Sequence, residues 1–190
     1  MSMNRDGALT LVRKYIKTEN TVKHMLATEA MMRALASKLE PGQEDVWGLT
    51  GLIHDLDYEV MKDASEHGLK TIEILKEEGV EVTEDIIQSI KAHNYDKNGA
   101  KAPQTLMDWS LFIGDSLTGL IVATALVRPE RNLASVKVKS ILKKFKQPAF
   151  AAGTRREEIA MCEEKLGIEL NAFVELSLKA MQGISGELGL

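Results

Sequence analysis

The stretch from Gly48 to Val60, "GLTGLIHDLDYEV", decides how this chain is read. Trp47, Leu49, Leu52, Ile53 and Leu56 recur at helical spacing, which predicts a helix from about Asp45 to Leu56 with one face in a core. His54, Asp55 and Asp57 fall inside that buried stretch. Polar groups there are costly unless something satisfies them. The question is what does.

Outward from this point, helix signals recur and convincing strand alternation does not. Before it, "TVKHMLATEAMMRALASKL" sets Val22, Met25, Leu26, Met32, Leu35 and Leu39 on one stripe that stops at Pro41-Gly42. After it, "SEHGLKTIEILKEEG" predicts a helix capped by Ser65 and ended by Gly79. "TEDIIQSIKAHN" predicts another behind Thr83, and "YDKNGAKAPQ" reads as a loop. A longer helix follows from about Thr105 to Val127. "LASVKVKSILKKFKQ" reads as a basic amphipathic helix broken at Pro148. "TRREEIAMCEEKLG" offers a capping box, Thr154 with Glu157, and a final helix starts behind Asn171. The expected fold class is all-α, an irregular helical bundle. One domain over 1–190 is expected, with a motif-bearing core of about 20–127 and a helical extension of about 133–185.

A net charge of −4 gives no electrostatic case for nucleic acid as the main partner. The single cysteine, Cys162, excludes an intramolecular disulfide and suits a reducing compartment. The start lacks the apolar run of a signal peptide, and the longest apolar stretch, "GLIVATALV", looks too short to span a bilayer. A cytoplasmic protein without a membrane partner is expected, with room for a homo-oligomer.

The four histidines, His24, His54, His67 and His93, lie in or at the ends of four consecutive predicted helices, and Asp115 is embedded in the fifth. Imidazole and carboxylate together are the ligand set of iron, manganese, zinc or nickel. A lone histidine on an apolar face is ordinarily a core or surface residue with ordinary hydrogen bonds. One in each of four helices, with two embedded acids, points to a shared metal site built by a ring of helices.

In the order His24, His54-Asp55, Asp115, the chain resembles the H…HD…D signature of the HD-domain superfamily of metal-dependent phosphohydrolases, in its HDIG-type form. "EHGLKTIEIL" resembles the segment that follows the HD helix in binuclear members, "IIQSIKAHN" resembles their I-x-x-H segment, and "GDSLTGL" stands where the family has its last aspartate. The likeness covers about residues 20–127. It implies that His24, His54, Asp55 and Asp115 hold a first divalent ion. It also implies that His67 and His93 hold a second one, bridged by Asp55, or contact phosphate directly. The activity implied is hydrolysis of a small phosphorylated metabolite, a nucleotide first among them, as phosphomonoester or phosphodiester, by hydroxide generated at the ion. Asp57 is left with two readings: a carboxylate that pairs with a lysine or bonds a ligand histidine, or a general acid/base near the leaving group.

The chain also departs from its relatives. Tyr58 stands where many binuclear members carry a phosphate-contacting lysine, the Gly-Tyr-Pro motif of cyclic dinucleotide phosphodiesterases is absent, and "NYDKNG" follows His93. Arg128 and Arg131, just beyond the Asp115 helix, are candidates to take over the phosphate, alongside Lys23, Lys91, Lys137 and Lys139. Two further readings stay open: a non-catalytic nucleotide-binding sensor and a di-iron oxygenase.

Overall fold

The computed structural model describes residues 3–190. The long helices are α1 (Arg5–Tyr15), α2 (Glu19–Leu39), α3 (Glu44–Ile53), α4 (Leu69–Glu77), α5 (Glu84–Ala92), α7 (Leu106–Leu126), α8 (Val138–Phe145) and α11 (Leu170–Gly183). Three single-turn pieces lie between them, α6 (Tyr95–Asn98), α9 (Arg156–Ile159) and α10 (Cys162–Leu166), and a fourth, α12 (Ser185–Leu188), follows α11. No strand occurs among the described residues, so the all-α expectation holds. Helix α2 runs through the middle, with α3 and α7 packed on it and α11 on a further side.

Local chemistry fixes most ends. Asn4 caps α1 by accepting from the Gly7 amide. Thr105 and Asp108 form a reciprocal capping box at the start of α7, and Ser89 Oγ donates to the same buried Asp108. Helix α1 was not singled out in the sequence, although Ala8, Leu11 and Val12 are its buried face. Its position is fixed by a charge it cannot show by itself. Arg5 Nε, at 2.7 Å, and Arg33 Nε, at 3.1 Å, both reach the buried Glu29 carboxylate of α2.

Several expected boundaries shift. The helix expected to reach Leu56 ends at Ile53, and His54–Val60 form a run of turns. Ser65 does not cap α4: Asp63 Oδ1 accepts from its amide and hydroxyl in a preceding turn, and Gly68 is the capping position. Thr154 makes no capping box with Glu157, because Arg155 occupies the cap of α9. The last long helix begins at Leu170, one residue ahead of Asn171. The basic helix splits at Lys137 into a 3₁₀ turn (Leu133–Ser135) and α8. The expectation that no apolar stretch is long enough for a bilayer is corrected by α7, whose 21 residues are. Most of α7 is buried by the surrounding helices, which is the behaviour of a core helix.

Two devices seat the segments that carry the histidines. Gly51 of α3 lies so close to α2 that a Cβ would stand 2.9 Å from the Thr28 carbonyl oxygen. A glycine there lets the two helices approach within reach of one ion. Glu59 then accepts from the Lys17 and Thr18 amides at 2.9 and 2.8 Å, tying the turns after His54 to the start of α2.

Candidate metal centre

His54 ends α3 and His93 ends α5, each in the capping position. Their Nδ1 atoms face carbonyls three residues back, Gly51 O at 2.8 Å and Ile90 O at 2.5 Å. A carbonyl only accepts, so Nδ1 carries the proton on both rings and Nε2 is left as a lone pair. His67, in the turn before α4, has its Nδ1 fixed by Asp57 Oδ1 at 2.8 Å. On α7, Thr118 Oγ donates to the Asp115 carbonyl and so accepts from His24 Nδ1 at 3.1 Å. All four rings are therefore turned the same way, Nε2 forward, each held from behind.

The four Nε2 atoms converge on two carboxylates. His54 and His67 lie 3.2 and 3.3 Å from Asp55 Oδ1, and His93 lies 3.5 Å from it. His24 is 2.8 Å from Asp115 Oδ1 and 3.6 Å from Asp55 Oδ2, and His54 is 3.5 Å from Asp115 Oδ1. The Nε2 atoms of His67 and His93 are 3.0 Å apart. Lone pair faces lone pair at each of these distances, which is repulsive unless a cation or proton lies between. Buried His54 Nε2 and Asp55 Oδ1 have no hydrogen-bond partner. Ligands about 2.1 Å from one ion are separated by roughly 3.0 Å in an octahedron and 3.4 Å in a tetrahedron, which is the spacing found here. His24, His54 and Asp115 form one group that could hold an ion, and His54, Asp55 and His93 form another.

The charge states agree. Burial would push the His24 imidazole down, but Asp115 and Asp55 outweigh it and hold the ring up to about 9. Asp55 and Asp115 are held well below the usual carboxylate range, against burial, by the rings around them. The protein surrounds two ionised carboxylates with four imidazoles. A proton on His24 is the competitor that any metal ion must displace.

Asp57 is fully buried, and both of its oxygens are in use. Besides His67 Nδ1, it accepts from the Gly68 amide at 2.6 Å and the Thr71 amide at 3.0 Å, which stand at the N-terminus of α4. The acid/base reading of Asp57 gives way here: this carboxylate caps a helix from outside and aims His67. In Asp57→Asn an NH₂ group would face these N–H donors. We expect a loss of about 1–3 kcal/mol in stability and a loss of bound metal, read by melting and metal analysis on the same sample. Unchanged metal content would separate His67 from the centre.

A cavity of about 450 Å³ opens over the cluster. Its floor is His24, Asp55, His67 and Asp115, and one wall is the segment from Ala151 to Arg155. Tyr58, 51% exposed, stands beside it with its ring 6.1 Å from that of His67. The proposed phosphate contacts Arg128 and Arg131 are not brought here. Arg128 lies 13 positions past Asp115, about 20 Å along a helix axis, and its Nε donates to Ser135 Oγ. Neither arginine lines the cavity. Tyr95 and Trp109 pack against Phe112. Buried Cys162 is pushed up by desolvation and stays away from the site.

Arg155 and Glu158 are the residues the sequence reading missed. Arg155 Nε lies 2.9 Å from Glu158 Oε2, and Nη2 lies 3.7 Å from Asp115 Oδ2. Burial pushes Glu158 up to about 7 while Arg155 pulls it the other way. In sequence these two look like one more charged helix start. Pro148 and Gly153 just ahead, which mark a loop, were the only local hint.

Neither a curated protein nor a solved structure matches the chain. The family model described as HD domain matches residues 21–145, from the helix of His24 to the end of α8. With that match spanning well over half of its length, the chain belongs to the HD-domain family, whose members are generally metal-dependent hydrolases.

Proposed function

We propose that this protein is a metal-dependent phosphohydrolase acting on a small phosphorylated metabolite, a nucleotide first among the candidates. The observation that carries this reading is the convergence of four Nε2 lone pairs on Asp55 and Asp115, two of the converging atoms being buried and unpartnered. His24, His54, Asp55 and Asp115 would hold one divalent ion, and His67 and His93, with Asp55 between, a second. Iron, manganese, zinc and nickel all suit imidazole with carboxylate. An ion held there lowers the pKa of water toward neutrality and offsets charge on a phosphoryl group.

The chain supplies the rest. Gly51 O, Ile90 O, Asp57 and Thr118 hold the four rings in one tautomer, so no reorganisation is needed when charge develops. The apolar packing behind His54 and His93 keeps water from their inner faces. The cavity is of the size that takes a small ligand. Tyr58 offers an exposed aromatic face beside it, which supports a base-bearing substrate. A cytoplasmic location and a homo-oligomer remain part of the same reading.

The test is metal analysis of anaerobically purified protein beside His54→Ala, with both then given a panel of phosphomonoesters and dinucleotides. Near-stoichiometric metal and phosphate release, both lost in the variant, are the expected result. Bound metal with ligand-induced melting shifts but no phosphate release would move the protein to a sensor. Oxygen uptake without phosphate release would move it to an oxygenase.

A further inference from the structure

Resting on that proposed activity, we infer that Arg155 is the substrate-phosphate contact of this site, supplied by a strap that lies beyond the HD-domain match. The strap runs from Gln147 to Arg155, and its last five residues, Ala151 to Arg155, form one wall of the cavity. It has no regular structure of its own, and Ala151 takes a left-handed φ of 45°. One side chain holds it. The Arg156 guanidinium donates to the carbonyls of Phe145, Gln147, Phe150, Ala151 and Thr154, at 2.9 Å for Phe145 and 3.2 Å for Thr154. An arginine has five N–H donors, so Arg156 is spent on fixing this loop. Arg155, its neighbour, is thereby turned the other way, into the cavity.

The geometry of Arg155 fits the task. Nε is anchored near Glu158, and the face of Phe112 lies 5.7 Å from Cζ. Both terminal nitrogens stand beyond hydrogen-bond length from their nearest carboxylates, Asp96 at 3.8 Å and Asp115 at 3.7 Å. Nη1 is buried and makes no hydrogen bond. A buried guanidinium donor left unpaired is costly, and a planar fork with two free ends matches the oxygens of a phosphate. Apart from its histidines, Arg155 is the only cationic side chain among the described residues lining the cavity. It stands beside Asp115, one of the acids converging on the cluster, so a phosphate bound there would lie between the guanidinium and the ions. Tyr58, which also lines the cavity, brings no charge, so Arg155 is the group there that can pair with an anion.

The experiment uses the full-length, metal-loaded protein, inorganic phosphate as the ligand and p-nitrophenyl phosphate as the reporter substrate. Arg155→Ala should keep its metal and its melting temperature while binding phosphate about 10- to 100-fold more weakly, the range for a lost charged hydrogen bond. Added guanidinium ion should restore part of the turnover in that variant. Arg155→Lys, which keeps the charge without the fork, should fall between, and Arg128→Ala should match the wild type. Phosphate affinity within about twofold of wild type in Arg155→Ala, with metal retained, would overturn the inference while leaving the hydrolase intact. So would loss of metal in Arg155→Ala, which would make Arg155 a support for Asp115, and so would a wild-type protein that binds no phosphate at millimolar concentration. Phosphate bound through Arg155 without turnover of any ester would sustain the inference and sink the hydrolase.

Discussion

Asp55→Asn is expected to strip the protein of bound metal and of turnover, and also to lower the stability of the metal-free fold at neutral pH, because the rings hold the Asp55 carboxyl below its usual range and the charge they favour is lost. Asp55 Oδ1 lies within 3.5 Å of the Nε2 atoms of His54, His67 and His93, and Oδ2 faces His24. No other side chain meets all four rings. Asparagine keeps the shape and removes the charge. Its NH₂ can donate to one imidazole lone pair, which recovers part of that loss. Changing a residue that merely supports a metal ligand costs about 10- to 100-fold in affinity, and losing a carboxylate that faces all four rings should exceed that. Melting curves with metal and with chelator give the readout. Wild type should gain about 2.7 kcal/mol at a metal concentration one hundred times Kd, and the variant should gain nothing. A variant that still melts higher with metal and still releases phosphate would mean that the cluster is not the centre.

The second large effect belongs to a residue with no functional group. Gly68 follows His67 and adopts φ +80°, in the region side chains rarely take. A Cβ there would stand 2.6 Å from the Ile90 carbonyl oxygen and 3.3 Å from His93 Cε1. That same carbonyl accepts from His93 Nδ1, and the Gly68 amide donates to Asp57. Gly68→Ala therefore strains its own backbone, pushes α5 away and disturbs the supports of both His67 and His93. Left-handed strain of about 1–2 kcal/mol and overpacking of about 1–3 kcal/mol sum to a loss of roughly 2–5 kcal/mol. The His24, His54 and Asp115 side should survive, so the expected result is a lower melting temperature with one ion retained. A protein of wild-type stability holding two ions would show that the backbone at Gly68 can shift freely.

Both variants act through neighbours that are distant in sequence. His67 and His93 are separated by 26 positions, yet their Nε2 atoms lie 3.0 Å apart. Their types and their places at helix ends were legible in the sequence, because histidine at a helix terminus inside an apolar pattern demands a partner. Their convergence is a property of the packing.

The sequence by itself determined the all-α class, the run of helices carrying His24, His54, His93 and Asp115, and the kind of ligand these groups suit. Those are consequences of period, capping and donor chemistry, which are local. The packed structure decided three things that no periodicity carries. It ended α3 at Ile53, so that His54 closes the helix with its own ring and Asp55 is free to turn inward. It gave Asp57 to the α4 terminus instead of the cavity, because three N–H groups meet it there. It placed Arg155 over the cluster and took Arg128 away, since a helix carries its end residues along its axis while a strap held by Arg156 can fold back. The sequence names the groups and their spacing along each helix. Only the packing of α2, α3, α5 and α7 sets the distances between them, and a metal centre is made of those distances.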